Sequence, residues 1–271
     1  MGGDLTRVAV YERCVGASLE RVWENVRDWE HLPWLHAGSF GAISLVERGD
    51  HGWKARVATR PRGREILLEL VIDGDRYVSR TLEGPGAGTE IWTTLSSRSQ
   101  HATDIRVEFL LPDVPPARLE TLGAQMTALY TRLWDEDEAM MRRRAELLSA
   151  RRPASAPAAS GTLDLGPAEE VRSRVPFAVE LAGRPYRIVR LADGHLAAHA
   201  TTCPHWLGPL DDSAVEDGCV TCPWHGYRFD LVTGRRRDAT SPLRLTLARV
   251  VVDPETGRAA VVAIGREPQA Q

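Results

Sequence analysis

Lysine is almost absent from this 271-residue sequence: Lys54 is the only one, and arginine supplies the other strongly basic side chains. The formal net charge is −3, so the chain has no basic surplus for the phosphates of a nucleic acid, and we expect no nucleic-acid partner. No apolar run approaches the roughly 18 residues that predict a membrane-spanning helix. The first residues also lack the basic and apolar segments of a secretory signal. These absences predict a cytoplasmic protein without a membrane span.

Cysteine is scarce as well, with only Cys14, Cys203, Cys219 and Cys222 in the chain. Without an export signal, such cysteines are more often metal ligands or plain thiols than a disulfide framework. Hydrophobic residues make up 43% and charged residues 26%, which is ordinary globular usage and excludes wholesale disorder. At roughly 100–200 residues per domain, the length allows one large domain or two small ones.

Ala, Ser, Pro and Gly dominate the stretch SARRPASAPAASGTLDLGP, which runs from Ser149 to Pro167. This composition, without apolar periodicity, is typical of a linker. We therefore predict a first domain at 1–150, a linker at 151–168 and a second domain at 169–271.

The first domain has the pattern of an α+β fold. The segment VAVYERCV alternates like a strand, and Ser18 then caps a predicted helix whose apolar positions fall at helical spacing. From about Phe40 to Leu111, short strand-like runs between turn residues predict an antiparallel meander. A long helix is predicted from roughly Ala117 to Ala150. We expect the sheet to wrap around this helix and to leave an apolar cavity between them.

This order of elements, together with the segment VWENVRDWEHLPW, resembles the helix-grip superfamily that includes START-like and Bet v 1-like proteins. The resemblance covers most of residues 5–148. It implies an α+β helix-grip (START-like) first domain.

The second domain is rich in short strand-like segments with turn signals every eight to twelve residues, which predicts a small all-β domain. It contains two boxes: CPH runs from Cys203 to His205, and CPWH runs from Cys222 to His225. Two cysteines can hold one iron of a [2Fe–2S] cluster and two histidines the other. A zinc finger would pair its cysteines in one turn and its histidines in another, and a disulfide would leave both histidines unexplained. Cys219 belongs to neither box.

The passage CPHWLGPL…CPWHGYRFDLVTG, with the later SPLRL, resembles the Rieske [2Fe–2S] family over about residues 170–265. The resemblance implies that Cys203 and Cys222 bind the structural iron, and that His205 and His225 bind the reducible one.

Members of this family in respiratory complexes add a disulfide clamp at two positions that are Gly208 and Trp224 in this sequence. Without the clamp, the second domain is similar to the oxygenase and ferredoxin branch of the family. That branch works at lower reduction potential and transfers one electron at a time.

A second constellation lies in the first domain, where Asp28, His31 and His36 form the pattern D-x-x-H-x4-H. A mononuclear non-haem iron site needs two imidazoles and one carboxylate on one face, with positions left open for dioxygen. Asp28 and His31 do not share the apolar face of the first helix. They converge only if that helix breaks near Trp29, which Pro33 favours.

The carboxylate candidate is Asp137, within the four consecutive acids 135–138. At 100° per residue it falls in the apolar stripe of the long helix, between Tyr130, Leu133 and Met141. Burying a carboxylate is costly unless a cation, a donor or a proton compensates it. A metal ion held by the two histidines would supply that charge.

The stretch ENVRDWEHLPWLH is similar to the catalytic domain of Rieske non-haem iron oxygenases. The resemblance implies that His31, His36 and Asp137 bind a mononuclear Fe(II) and that Asp28 bridges a ligand histidine to the Rieske histidine. It also implies an enzyme: a mono- or dioxygenase that passes electrons from the cluster to this iron, which activates O2 to hydroxylate or demethylate an apolar small molecule. The electron donor would be an external reductase or ferredoxin, and such enzymes are compatible with a homo-oligomer. The domain order is reversed relative to that family.

The alternative hypothesis is a non-catalytic Rieske electron-transfer protein whose helix-grip domain binds a ligand or docks a partner. His31 and His36 would then be ordinary polar residues at a cavity mouth. The number of iron atoms per chain discriminates the two hypotheses. A third possibility, a helix-grip cyclase fused to a ferredoxin, has no specific residue in its favour.

Overall fold

The computed structural model describes residues 4–61, 63–150, 161–238 and 240–264. The chain forms two compact units, Met1–Glu146 and Leu147–Gln271, and each is described by itself. Among the described helices, none combines the length and the hydropathy needed to cross a membrane.

Seven antiparallel strands form the sheet of the first unit, in the order β1-β7-β6-β5-β4-β3-β2. Their bounds are β1 (Leu5–Val15), β2 (Phe40–Gly49), β3 (Gly52–Thr59), β4 (Arg64–Asp73), β5 (Arg76–Glu83), β6 (Glu90–Ser99) and β7 (Ala102–Pro112). Strands β2 to β7 are sequential neighbours, which confirms the predicted meander. Strand β1 pairs antiparallel with β7 and so forms one edge of the sheet.

In the described part of the first unit, three α-helices accompany this sheet: α1 (Leu19–Arg27), α2 (Leu32–Leu35) and α3 (Leu119–Ser149), the last preceded by a 3-10 turn at Pro116–Arg118. The Ser18 side chain accepts a hydrogen bond from the Arg21 amide and so caps α1. The path breaks after Arg27 and resumes in the single turn of α2, which has Pro33 in its first turn. The break near Trp29 that the sequence predicts is therefore present.

The sheet and the helices bury one apolar cluster between them. Val107 and Phe109 of β7 are fully buried, and Trp134 and Met141 of α3 pack into the same cluster. Gly123 allows α3 to lie close to β1, because a Cβ there would meet the Val8 carbonyl oxygen at 2.5 Å. A sheet that packs on one long helix in this way is the helix-grip architecture, so the predicted fold class is confirmed. The apolar cavity stays a prediction.

The second unit contains a six-stranded sheet, in the order β8-β16-β15-β11-β10-β9, and a three-stranded sheet, β12-β13-β14. The strands are β8 (Thr162–Pro167), β9 (Phe177–Leu181), β10 (Arg184–Arg190), β11 (Leu196–Ala200), β12 (Val215–Glu216), β13 (Cys219–Thr221), β14 (Arg228–Asp230), β15 (Leu247–Val252) and β16 (Arg258–Ala263). The all-β prediction is confirmed, with one addition: a short helix, α4 (Ala168–Arg174), follows β8.

The predicted linker at 151–168 needs one correction. Residues 151–160 lie outside the described part of the chain. Residues 162–168 are not linker, because 162–167 form β8, which pairs antiparallel with β16, and Ala168 begins the helix α4. In TLDLGP, polar and apolar residues alternate as in a strand, but the Ala, Ser and Pro that precede this segment favour the prediction of a linker.

Candidate metal sites

The two boxes of the second unit lie in loops of closely similar design. The first box follows β11, and its loop is closed by hydrogen bonds from the Cys203 amide to the Gly208 carbonyl (2.9 Å) and from the Leu207 amide to the Cys203 carbonyl (3.1 Å). The second box follows β13. There the Cys222 amide donates to Tyr227 (2.9 Å), and a second bond returns to the Cys222 carbonyl (2.8 Å). Each loop thus presents one cysteine and one histidine from a rigid turn.

The two cysteines of the boxes are buried side by side. Cys203 is fully buried and Cys222 is 1% exposed. The Cys203 thiol donates a hydrogen bond to Cys222, and this bond, together with His225, outweighs burial and lowers the pKa of Cys222 well below that of an ordinary thiol. A paired set of sulfurs, one of them readily ionised, suits a metal that binds thiolates.

The two histidines of the boxes also converge, with 4.6 Å between the ring centroids of His205 and His225. Space around the sulfurs is kept open by Gly208: a Cβ at this position would come within 2.7 Å of Cys222 Sγ and 3.2 Å of Trp224 Cδ2. Two thiols and two imidazoles on facing loops are the donor set of a Rieske-type [2Fe–2S] cluster. The residues present therefore fit that group.

Cys219 takes no part in this arrangement. It lies on β13, 1% exposed, and its Sγ accepts a hydrogen bond from Arg237 Nη1 at 3.4 Å. This agrees with the prediction that it belongs to neither box.

In the first unit, His31, His36 and Asp137 come together from two distant parts of the sequence. The single turn of α2 separates the histidines, since His31 precedes it and His36 follows it. Asp137 reaches them from the buried face of α3. Their candidate ligand atoms all lie within 4.8 Å of one another. The three residues are 3%, 2% and 9% exposed, respectively.

The distances within this group centre on Asp137 Oδ1. It lies 3.1 Å from His36 Nε2 and 3.6 Å from His31 Nε2. The other nitrogen of each ring faces another carboxylate: His36 Nδ1 is 2.6 Å from Glu136 Oε2, and His31 Nδ1 is 3.4 Å from Asp28 Oδ2. Both imidazoles therefore direct Nε2 at the same point.

Two residues that support this group were missed from the sequence. Asn25 is buried and donates from Nδ2 to Asp137 Oδ1 at 2.9 Å. The sequence does indicate that Asn25 is buried, because it lies three residues after Val22 on the apolar face of α1. Glu136, one of the four consecutive acids 135–138, contacts His36. No pattern in the sequence pointed to that contact, because its partner is 100 residues away.

The charges of the group stabilise one another. Burial alone would lower the pKa of His36, but the carboxylates of Asp137 and Glu136 outweigh it and raise that pKa above its usual value. Burial would raise the pKa of Asp137, but His36, His31 and the Asn25 amide hold it below its usual value. Asp137 is therefore ionised at neutral pH, as a metal ligand must be. Two imidazoles and one carboxylate are the donors of a facial Fe(II) site, so the residues fit that ion.

The unit that carries the two cysteine–histidine boxes matches a known protein family. A sequence model of the Rieske [2Fe–2S] domain matches residues 161–248. The chain is 35% identical over 89 residues to the anthranilate 1,2-dioxygenase ferredoxin subunit of Burkholderia cepacia, a match that covers 32% of this chain and 82% of that protein. The chain belongs to the Rieske [2Fe–2S] family. Membership implies a [2Fe–2S] cluster and a role in electron transfer.

Two further proteins are similar to this chain, one over a shorter stretch of sequence and the other at lower sequence identity. The oxygenase component of Dicamba O-demethylase from Stenotrophomonas maltophilia is 36% identical over 61 residues, which cover 22% of this chain and 18% of that protein. The chain thus spans less than a fifth of that relative. Among solved structures, a START superfamily protein from Mycobacterium smegmatis matches at 15% identity and a TM-score of 0.41, over 52% of this chain and 99% of that one.

The close approach at Gly208 gives a testable prediction for the Rieske unit. We expect Gly208→Ala to reduce the [2Fe–2S] content and to cost about 1–3 kcal/mol of stability, because the added methyl group overpacks the space beside Cys222. The measurement is visible absorbance per chain together with thermal unfolding. Gly161→Ala is the matched control, since a Cβ there meets nothing closer than 3.4 Å. Equal cluster content in the two variants would contradict the prediction.

Proposed function

We propose that this protein is a Rieske-type non-haem iron oxygenase. The observation that carries the proposal is the convergence of His31, His36 and Asp137 within 4.8 Å inside the helix-grip unit. A Rieske unit supplies electrons, and a buried two-histidine, one-carboxylate group is where such electrons could be used on dioxygen. Similarity to an oxygenase component that demethylates dicamba supports the same class of reaction.

The cluster ligands in this proposal are the four box residues. Cys203 and Cys222 would hold one iron, because their sulfurs are buried together, and His205 and His225 would hold the other. The loops that carry them are already closed by backbone hydrogen bonds. Little rearrangement of the chain is therefore needed on loading.

The mononuclear iron would be held by His31, His36 and Asp137. Glu136 orients the His36 ring through Nδ1, and Asp28 lies at the corresponding nitrogen of His31. Such outer contacts fix the direction and raise the basicity of a ligand imidazole. The 3.4 Å distance between Asp28 Oδ2 and His31 Nδ1 supports the proposal that Asp28 bridges this ligand histidine to a Rieske histidine.

The substrate proposed is an apolar small molecule, because Phe40 packs against the apolar cluster of the helix-grip unit and its ring centroid lies 6.3 Å from that of His36. Tyr77 and Tyr130 belong to this surrounding, and burial together with the charge of Asp137 raises the pKa of each well above its usual value. Both phenols therefore stay protonated at neutral pH and add no charge to the site.

When bound, the two metal groups supply single-electron transfer and reductive activation of dioxygen, so the overall hydroxylation is R–H + O2 + 2 e⁻ + 2 H⁺ → R–OH + H2O. One oxygen atom enters the substrate and the other leaves as water. An external reductase or ferredoxin is oxidised and provides the two electrons. Demethylation follows the same balance when the hydroxylated carbon is a methyl group on oxygen or nitrogen.

The test is an anaerobic count of iron per full-length chain, combined with electron paramagnetic resonance before and after dithionite. Three irons per chain, with a Rieske signal only after reduction, support the proposal. Two irons in fully loaded protein, with the same Rieske signal, would reject the oxygenase and favour an electron-transfer protein whose helix-grip unit binds no metal. His31→Ala should remove the third iron, and His51→Ala, which changes a histidine that is 65% exposed, should leave all three.

A further inference from the structure

A stack of three side chains runs from a cluster histidine towards the surface of the Rieske unit. The ring of Tyr227 stacks on the ring of His205 with 4.5 Å between centroids and an interplanar angle of 26°. On the Tyr227 ring lies the guanidinium of Arg236, with Cζ only 3.4 Å from the ring centroid. Stacking of an arginine on an aromatic face brings a full positive charge close to the ring.

Arg236 is held in this position from two sides. Asp238 accepts from its Nε at 2.9 Å and from its Nη2 at 2.8 Å, a bidentate pair that fixes the plane of the guanidinium. The backbone of Arg236 forms a β-bridge with Phe229. Gly234 completes the turn before it in a left-handed conformation (φ +70°), where a Cβ would lie 2.5 Å from the Leu245 carbonyl oxygen.

The charged side chains of Arg236 and Asp238 differ in how far they are buried. The Arg236 side chain is 18% exposed and lies on the ring, whereas the Asp238 side chain is 36% exposed. Hydrogen bonds from Arg236 outweigh burial and hold the pKa of Asp238 below its usual value, so the carboxylate is ionised at neutral pH. The positive end of the pair therefore faces the stacked rings, and the negative end lies nearer to solvent.

We infer that Arg236 is a positioning residue that raises the reduction potential of the Rieske cluster through Tyr227 and His205. The inference rests on the proposed role of His205 as a cluster ligand. Reduction adds one electron to the cluster, and a nearby positive charge stabilises the reduced form more than the oxidised one. Asp238 opposes this effect from the outer end of the pair while it keeps the guanidinium on the ring.

The experiment is a potentiometric titration of the full-length protein, followed by visible absorbance, for three variants. Arg236→Gln removes the inner charge and should shift the midpoint potential to a lower value. Asp238→Asn removes the outer charge and should shift it to a higher value. Arg235→Gln changes the exposed neighbour of Arg236 and should shift it least of the three.

Opposite signs for Arg236→Gln and Asp238→Asn support the inference, because a purely structural disturbance of this loop would move both variants the same way. Shifts of the same sign, or a shift in Arg236→Gln no larger than in Arg235→Gln, overturn it. Electron paramagnetic resonance of the reduced wild type tests the histidine ligands separately from the role of Arg236. Absence of a Rieske signal rejects the histidine ligands themselves, whereas a normal signal with an unresponsive potential rejects the role of Arg236 alone.

Discussion

We expect Asp137→Asn to abolish the proposed third iron and the proposed oxygenation of substrate, while the [2Fe–2S] cluster stays fully loaded. The amide keeps the shape of the side chain and can still accept the hydrogen bond from Asn25, so the helix-grip unit should fold. What it loses is the negative charge that a divalent ion requires beside two neutral imidazoles. Iron per chain and product formed per reduced cluster are the two measurements.

Neighbouring acids of α3 provide graded controls for this experiment. Glu136→Gln leaves the ligands intact but removes the carboxylate at His36 Nδ1, and the loss of such an outer contact typically weakens metal binding by about 10–100-fold. Asp135→Asn changes an exposed acid that pairs with Arg13 and should leave iron and activity as in the wild type. If Asp135→Asn and Asp137→Asn lost iron equally, the assigned ligand set would be wrong.

Cys222→Ser should remove the [2Fe–2S] cluster entirely, and with it the visible colour and the Rieske signal after dithionite. A serine hydroxyl is a far poorer ligand for iron than a thiolate, and each iron of the cluster depends on both boxes. In the proposed oxygenase, electron delivery to the mononuclear iron would then stop, so oxygenation driven by a reductase should fall to background. The measurements are inorganic sulfide and iron per chain, together with absorbance.

Cys219→Ser is the matched control for that variant, because Cys219 is three residues earlier, is equally buried and lies outside both boxes. Serine can still accept the hydrogen bond from Arg237, so cluster content should match the wild type. Loss of the cluster in both variants would mean that the thiol pair has been assigned incorrectly or that this strand cannot tolerate serine. Cys203→Ser decides between these two explanations, since it changes the other box and leaves β13 untouched.

Periodicity in the sequence predicted the parts of the fold that depend on local pattern. The meander and the long helix follow from apolar spacing, and the burial of Asp137 follows from its angle on α3. The first box and the second box were found from ligand spacing alone. The tertiary convergence of His31, His36 and Asp137 was an expectation, which the geometry of the described residues now supports with distances.

Contacts over long sequence separations could not be predicted. Glu136 reads as one member of a solvated acidic run, and only the position of His36 in space gives it a partner. The strand Thr162–Pro167 was assigned to the linker because its pairing partner, β16, lies almost 100 residues later. Asn25 had a detectable signal, but a single polar residue on an apolar stripe does not identify what it contacts.

The position of His36 between two carboxylates makes metal binding at the proposed site dependent on pH. The carboxylates of Asp137 and Glu136 outweigh burial and raise the pKa of His36, so protonation of its ring compensates buried negative charge when no cation is bound. A metal ion bound at Nε2 would take the place of that proton, because a ligand imidazole must be neutral. We therefore expect acid to weaken iron binding at the proposed site, because the proton on His36 competes with the metal ion.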